Sequence, residues 1–282
     1  MTTLTVLHPG AMGAAVAVQA SRSGHQVLWV SADRSAATRE RARKAGLTDC
    51  PSLAEALGAS EVVLSLCPPH AAEDVAVSVA RHGFTGLYVE ANAISPQRME
   101  RIAHEVRPAS SVLDGAVIGP PPGDRHTCRL YLAGGPQAVD LLRFVFRGSR
   151  VQVEAAGDRV GAASALKMSF AAFQKAARTL AAVSHALADS HGVAGLLTAE
   201  ARRMPADFLS NPADLSSVAA RAWRWAPEMG EAADTLRASG LPPQMAEAAA
   251  AVMRRWEQDK DRYELPLAEV LAHLGDGAHG RS

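Results

Sequence analysis

The sequence predicts an α/β domain built on an open parallel sheet, followed by an all-α domain, with the division after residue 156. Three observations carry this prediction. Short apolar runs alternate with charged helical stretches up to about residue 150. A glycine-bearing turn separates the first run from the first helix. From residue 157 to residue 192 there is no proline, and alanine and leucine dominate.

The apolar runs fall at residues 4–7, 27–30, 62–66, 86–89, 111–113 and 130–133, most of them rich in β-branched residues. Helical spacing with charged faces occupies 35–45, 52–57 and 96–106 between them. Runs this continuous are expected of parallel strands buried on both faces. The stretch 157–192 predicts one helix of roughly 30 residues, about 45 Å long. Further helices are expected near 215–225, 228–238 and 243–261, with Gly240-Leu-Pro242 as a stop and restart and 275–282 as a frayed tail. Domain 1–156 would bind a nucleotide and domain 157–282 would hold substrate and a partner subunit.

Composition excludes several classes. Lysine plus arginine equals aspartate plus glutamate, 29 each, so no net field attracts nucleic acid or an anionic membrane. Cys50, Cys67 and Cys128 are too few and scattered for a disulfide framework, and without a Cys-x-x-Cys pair no zinc site is expected. No basic-then-apolar leader opens the chain, and no apolar stretch approaches the roughly 20 residues of a membrane span. A cytoplasmic protein with a small-molecule substrate and no nucleic-acid or membrane partner is expected.

The sharpest motif is Leu4-Thr-Val-Leu-His8-Pro9-Gly10-Ala11-Met12-Gly13. A strand enters a tight turn and leaves as a helix, with glycines at the second and third places of a G-x-G-x-x-G pattern and His8 at the first. Gly10 lets backbone approach a pyrophosphate, Gly13 lets helix pack on strand, and the helix start offers free N–H groups. His8 to Gly13 are thus candidate cofactor residues of a Rossmann-type domain. The end of the second strand should read the ribose. Ser31 stands there, 18 residues beyond Gly13, followed by Asp33, Arg34 and Ser35. Ser31 cannot grip both ribose hydroxyls as an acid would, while Arg34 and Ser35 suit a 2′-phosphate, so NADP is expected over NAD although Asp33 argues the other way.

These residues resemble the β-hydroxyacid dehydrogenases, which include 3-hydroxyisobutyrate and 6-phosphogluconate dehydrogenases and have the imine reductases as relatives. The likeness rests on four stretches: Gly10-Ala-Met-Gly13 with Gly24-His25 downstream, Leu64-Ser-Leu-Cys67-Pro68-Pro69, Tyr88-Val-Glu90-Ala-Asn92-Ala-Ile-Ser95-Pro96, and Gly161-Ala-Ala-Ser-Ala-Leu-Lys167. The helical remainder, with Arg224-Trp225-Ala-Pro-Glu228-Met229, is similar to a poorly characterised bacterial branch of phosphogluconate-dehydrogenase-like proteins. The resemblance implies that Cys67, Pro68 and Asn92 lie beside the nicotinamide ribose, that Asn92 also belongs to the catalytic set, and that Lys167 touches substrate as the catalytic acid or base. It places Ile118, Gly119 and Pro120 in the substrate segment.

The chain departs from that pattern in telling places. Ala171 stands where the family has asparagine, Ile118 where it has a substrate-binding serine, and Ala93 where relatives carry threonine or asparagine. On a helix, Gln174 shares the face of Lys167 and could supply the donor that Ala171 lacks. The expected reaction is hydride transfer between NADP(H) and a small hydroxyacid or carbonyl compound. Imine reduction on the same scaffold is the alternative, although relatives that do it place aspartate or tyrosine at the position of Lys167. A non-catalytic NADP sensor is the alternative of another class and would not need Lys167. Ser164-Ala-Leu-Lys167 also fits a Ser-x-x-Lys acyl-enzyme motif, but the Lys-Thr-Gly strand that chemistry needs is missing. Trp223 or Trp225 is expected to fill a core, and the long alanine-rich helix to support a homodimer.

Overall fold

A computed structural model describes residues 1–107, 109–204 and 208–275, so residues 276–282 of the expected tail lie outside the described residues. The chain forms two compact units, 1–171 and 172–282. The division falls later than residue 156 because the start of the long helix is fastened to the sheet of the first unit.

In the first unit, β1 (Thr3–Leu7), α1 (Ala11–Arg22), β2 (Gln26–Val30), α2 (Ala36–Lys44), β3 (Thr48–Cys50), α3 (Leu53–Gly58) and β4 (Val62–Ser65) come first. Then follow α4 (Ala72–Arg81), β5 (Leu87–Glu90), α5 (Pro96–Glu105), β6 (Ser111–Ile118), β7 (Cys128–Ala133), α6 (Pro136–Val145) and β8 (Val151–Gly157). The eight strands make one sheet in the order β3-β2-β1-β4-β5-β6-β7-β8. From β1 the chain winds outward to β2 and β3, and from β4 it winds the other way. The crevice outside the ends of β1 and β4 is therefore the switch point at which such sheets bind ligands.

Alternation along the strands sends Val62, Leu64, Leu87 and Val89 into one core and Val63 and Tyr88 into another. Both faces are covered, which explains the continuous apolar runs. The sheet is mostly parallel, as expected, with one reversal: β7 runs antiparallel to β6, joined through residues 119–127, while β8 is parallel to β7. Two strands, β3 and β8, have no counterpart among the expected runs. Both are edge strands: β3 is three polar or half-exposed residues, and β8 exposes every second side chain or more.

Two buried carboxylates fasten the loops to this sheet. Glu90 and Asp114 are register partners on β5 and β6, and each is at most 1% exposed. Asp114 reaches the start of α7 (Ala162–Ser190). Its carboxylate accepts from the Gly161 and Ser164 N–H groups at 2.9 and 3.0 Å and from the Ser164 hydroxyl at 2.6 Å. It is a helix cap supplied from some fifty residues away. Glu90 accepts from the Tyr88 hydroxyl at 3.0 Å and the Asn92 N–H at 3.1 Å. Burial, outweighing those donors, pushes its pKa up to about 7.

The second unit is helical: the later part of α7, then α8 (Ala194–Ala201), α9 (Leu215–Ala238), α10 (Gln244–Arg254) and α11 (Leu267–Ala272). The expected helices 215–225 and 228–238 are one helix, with Pro227 inside it. A buried face of Ala219, Ala222, Ala226, Ala233 and Leu236 holds α9 together across the proline. Gly240, at φ 69°, ends it as expected. Neither Trp223 nor Trp225 fills a core: Trp223 is 41% exposed beneath the Lys260 ammonium and Trp225 lies under Arg221. Trp256 takes that place, buried with its indole N–H donating to the Val270 carbonyl at 2.9 Å. Among the described residues no helix is long and apolar enough to cross a membrane, and no group of three metal-ligating side chains exists.

Replacing Asp114 by Ala strands three buried donors, and chemical denaturation should show a loss of about 3 kcal/mol or more; a loss under about 1 kcal/mol would contradict the capping role. For Glu90, the folded pKa lies above the ordinary 4.5. Its contribution to stability is therefore complete below pH 4.5 and lost as pH rises through 7, by roughly 3 kcal/mol at most. Stability of the Glu90→Gln variant should be flatter across that window; parallel curves for the two proteins would show that Glu90 does not titrate there.

Candidate active site

The turn after β1 has the geometry its glycines imply. His8 adopts φ 64°, and the Gly10 N–H donates to the His8 carbonyl at 2.7 Å. A Cβ on Gly13 would stand 2.9 Å from that same carbonyl oxygen, so only glycine lets α1 begin this close to β1. A Cβ on Gly10 would meet nothing within 4 Å, leaving that backbone open to approach from the crevice. Gly10 is the N-cap of α1 and no side chain caps the helix. Its first N–H groups and the positive end of its dipole therefore face the crevice.

A cavity of about 430 Å³ opens there, and it brings together His8, Gly10, Ala11, Met12 and Gly13 with Arg34 and Ser35 and with Cys67 and Pro68. Asp33 lines it as well, at φ 57°. Pro9 is buried beside it and offers its carbonyl to the Arg41 Nε at 3.3 Å. Ser31 is not part of the lining; its N–H donates to the Asp49 carboxylate at 3.0 Å and its carbonyl accepts from the Arg34 N–H. Its part is to shape the loop that presents Arg34. Ser35 caps α2, accepting from the Thr38 N–H at 3.3 Å. Burial, with the Arg34 charge second, holds the His8 pKa down to about 4, so its imidazole is neutral at pH 7. A second cavity of about 280 Å³ shares His8 and Arg34 and is otherwise walled largely by Val6, Val30, Leu53 and Val75.

Asn92 is 3% exposed, and its side-chain amide donates to the Ser65 hydroxyl at 3.1 Å and to Cys67 Sγ at 3.2 Å. It braces the Cys67-Pro68 loop from behind, with Glu90 and Tyr88 next in line. The Cys67 thiol is raised to about 11, chiefly by burial and then by Glu90, so it stays protonated. Lys167 lies one turn beyond Ser164 on α7, and its ammonium donates to the Val117 carbonyl at 2.7 Å. Strand β6 thus holds α7 twice, at Asp114 and at Val117. Ile118 is buried at the strand end, followed by exposed Gly119 and Pro120. Gly119 sits at φ 126°, where a Cβ would come 3.1 Å from the Cys128 Cα. Gln174 belongs to the second unit, farther along the same helix.

Sequence reasoning missed Thr38 and Arg41, which also line the larger cavity. Their signal was present, since Ser35, Thr38 and Arg41 recur every three residues through α2. It also missed Asp114 as the cap of α7, for which no local signal exists.

Residues 3–89 match the family model described as NADP oxidoreductase, coenzyme F420-dependent, and residues 188–256 match a domain of unknown function, DUF1932. No curated protein matches the chain. Among solved structures, a reductive aminase from Aspergillus terreus in complex with NADPH and ethyl levulinate is 17% identical, covering 98% of this chain and 100% of that one with a TM-score of 0.75. An imine reductase from Streptomyces aurantiacus is 20% identical over 97% of this chain and 99% of its own, with a TM-score of 0.73. A conserved protein of unknown function with structural similarity to 3-hydroxyacid dehydrogenases is 24% identical over 91% of this chain and 97% of its own, with a TM-score of 0.61. At these identities the likeness is one of fold. The chain thus matches the NADP oxidoreductase model over residues 3–89 and the DUF1932 model over residues 188–256, and it has the fold seen in the imine reductases and the 3-hydroxyacid-dehydrogenase-like proteins.

Proposed function

We propose that this protein is an NADP(H)-dependent oxidoreductase acting between a small hydroxyacid and its carbonyl form, with Lys167 moving the proton. The observation that carries the reading is the larger cavity, in which an uncapped helix start, an open glycine backbone and an arginine loop converge. These residues fit the cofactor. Gly10, Ala11 and Met12 would hold its pyrophosphate through backbone N–H groups. Arg34 and Ser35 would hold a 2′-phosphate, and the apolar slot beside His8 suits an adenine ring. Cys67 and Pro68, braced by Asn92, would flank the nicotinamide ribose. When bound, NADPH supplies a hydride.

The chain's own part in the reaction is the proton. Reducing a carbonyl carbon leaves an alkoxide that needs a proton, and the reverse oxidation must take one from a hydroxyl. Lys167 holds a proton at Nζ, and Asp114 fixes the helix that carries it. Ile118 and the adjoining Pro120 make the neighbouring segment apolar, without the serine that would bind a substrate carboxylate. That feature favours the second reading, reduction of an imine on the same scaffold.

We also infer a homodimer. Nearly all of residues 172–182 of α7 are exposed, Phe173 and Leu180 among them. Leu196, Met204, Phe208 and Leu209 add at least half-exposed apolar surface in the same unit. A second copy would cover them. Three unpaired cysteines suit a reducing cytoplasm.

Titration of purified protein by reduced-nicotinamide fluorescence should give NADPH binding at least about tenfold tighter than NADH, and Arg34→Ala should erase most of that difference. Equal affinities in the native protein would refute the NADP assignment. Assayed with NADPH against 2- and 3-oxo acids and cyclic imines, Lys167→Met should keep cofactor affinity and lose about 10²–10⁴-fold in turnover of oxo acids. Unchanged turnover would remove Lys167 from the mechanism, and activity confined to imines would select the second reading.

A further inference from the structure

Two arginines, not one, line the larger cavity. Arg41 lies on the second turn of α2, outside the loop that the glycine pattern points to. Its Nη2 donates to the Thr38 hydroxyl at 2.9 Å and its Nε to the Pro9 carbonyl at 3.3 Å. The Thr38 hydroxyl is in turn 3.1 Å from that of Ser35. The fork is therefore held at both ends, between the turn after β1 and the start of α2, with its remaining donors uncommitted to either contact.

Charge pairing along α2 separates Arg41 from Arg43 and Lys44, and its place in the cavity lining separates it from Arg39, which among the described residues forms no ion pair either. Glu40, the helix's acid, is engaged by Arg43 at 2.8 Å and Lys44 at 3.5 Å, on the exposed side. Among the described residues neither Arg34 nor Arg41 forms an ion pair. The cavity they line carries Asp33 as its acid and the hydroxyls of Ser35 and Thr38 as further donors. Two cations against one carboxylate, with two hydroxyls, match a phosphate dianion. A plain ribose hydroxyl would gain little from the second cation.

Resting on the NADP reading above, we propose that Arg41 is a specificity-determining residue for the cofactor's 2′-phosphate. It shares that group with Arg34 and ties the site to the pyrophosphate turn through Pro9. Arg34 sits on the loop before α2; Arg41 is held at two points, so it fixes where the phosphate must lie. Lysine in its place would keep the charge but lose the two-point hold.

The test is a fluorescence titration of native protein, Arg41→Met and Arg41→Lys with NADPH and NADH, alongside thermal melts. The methionine variant should weaken NADPH by about tenfold or more and NADH by less than about threefold, with the lysine variant between. Equal weakening of both nucleotides would mean that Arg41 merely props the turn, and no weakening of NADPH would mean that it does not touch the site; either overturns the proposal. If the methionine variant fails to melt cooperatively, the lysine variant decides by the same comparison. Native protein that fails to prefer NADPH would refute the NADP reading, and this assignment with it. A native preference kept intact in both variants would sink Arg41 alone.

Discussion

Everything at the crevice depends on how closely α1 begins against β1. The His8 carbonyl oxygen occupies the space that any side chain at residue 13 would need, 2.9 Å from where its Cβ would stand. Because Gly13 concedes that space, the helix axis points its positive end at the switch point of the sheet. The same carbonyl receives the Gly10 N–H, so one atom sets both the turn and the helix start. His8 reaches this conformation at a positive φ, which costs an ordinary residue some strain. Its neutral imidazole then forms a wall common to both cavities.

A second constraint governs the far side of the site. β6 supplies the Asp114 cap and the Val117 carbonyl, and these two contacts set both the start and the rotation of α7. Lys167 is thereby placed by the sheet, while most of the helix beyond it stays exposed. Next to Asp114, Glu90 is buried with fewer donors, and desolvation keeps its proton on far above the ordinary range. Two acids on adjacent strands thus do different work: one gathers three donors at the start of α7, the other acts as a hydrogen-bonded core group behind Cys67.

The parts legible in the sequence were those fixed by local rules. The glycine turn, the strands 4–7 and 62–66 and the break at Gly240 follow from spacing within a few residues. Arg34 was legible because its place follows from counting along the first βαβ unit. The reverse direction of β7 was not, since either direction could bury the same alternation of side chains. β3 and β8 escaped notice because edge strands need only half an apolar face. α9 was divided at Pro227 on propensity, and tertiary packing of its alanine face overrode that rule. The capping of α7 by Asp114 joins residues 47 and 50 apart, a contact that no pattern within either segment encodes.

The central claim is that the first turn and the start of α2 form one NADP site. Amide hydrogen exchange with and without saturating NADPH or NADH tests it most directly. The account predicts protection at residues 8–13 with either nucleotide, and at 33–41 with NADPH alone. Absence of protection at 8–13 with both nucleotides would contradict it.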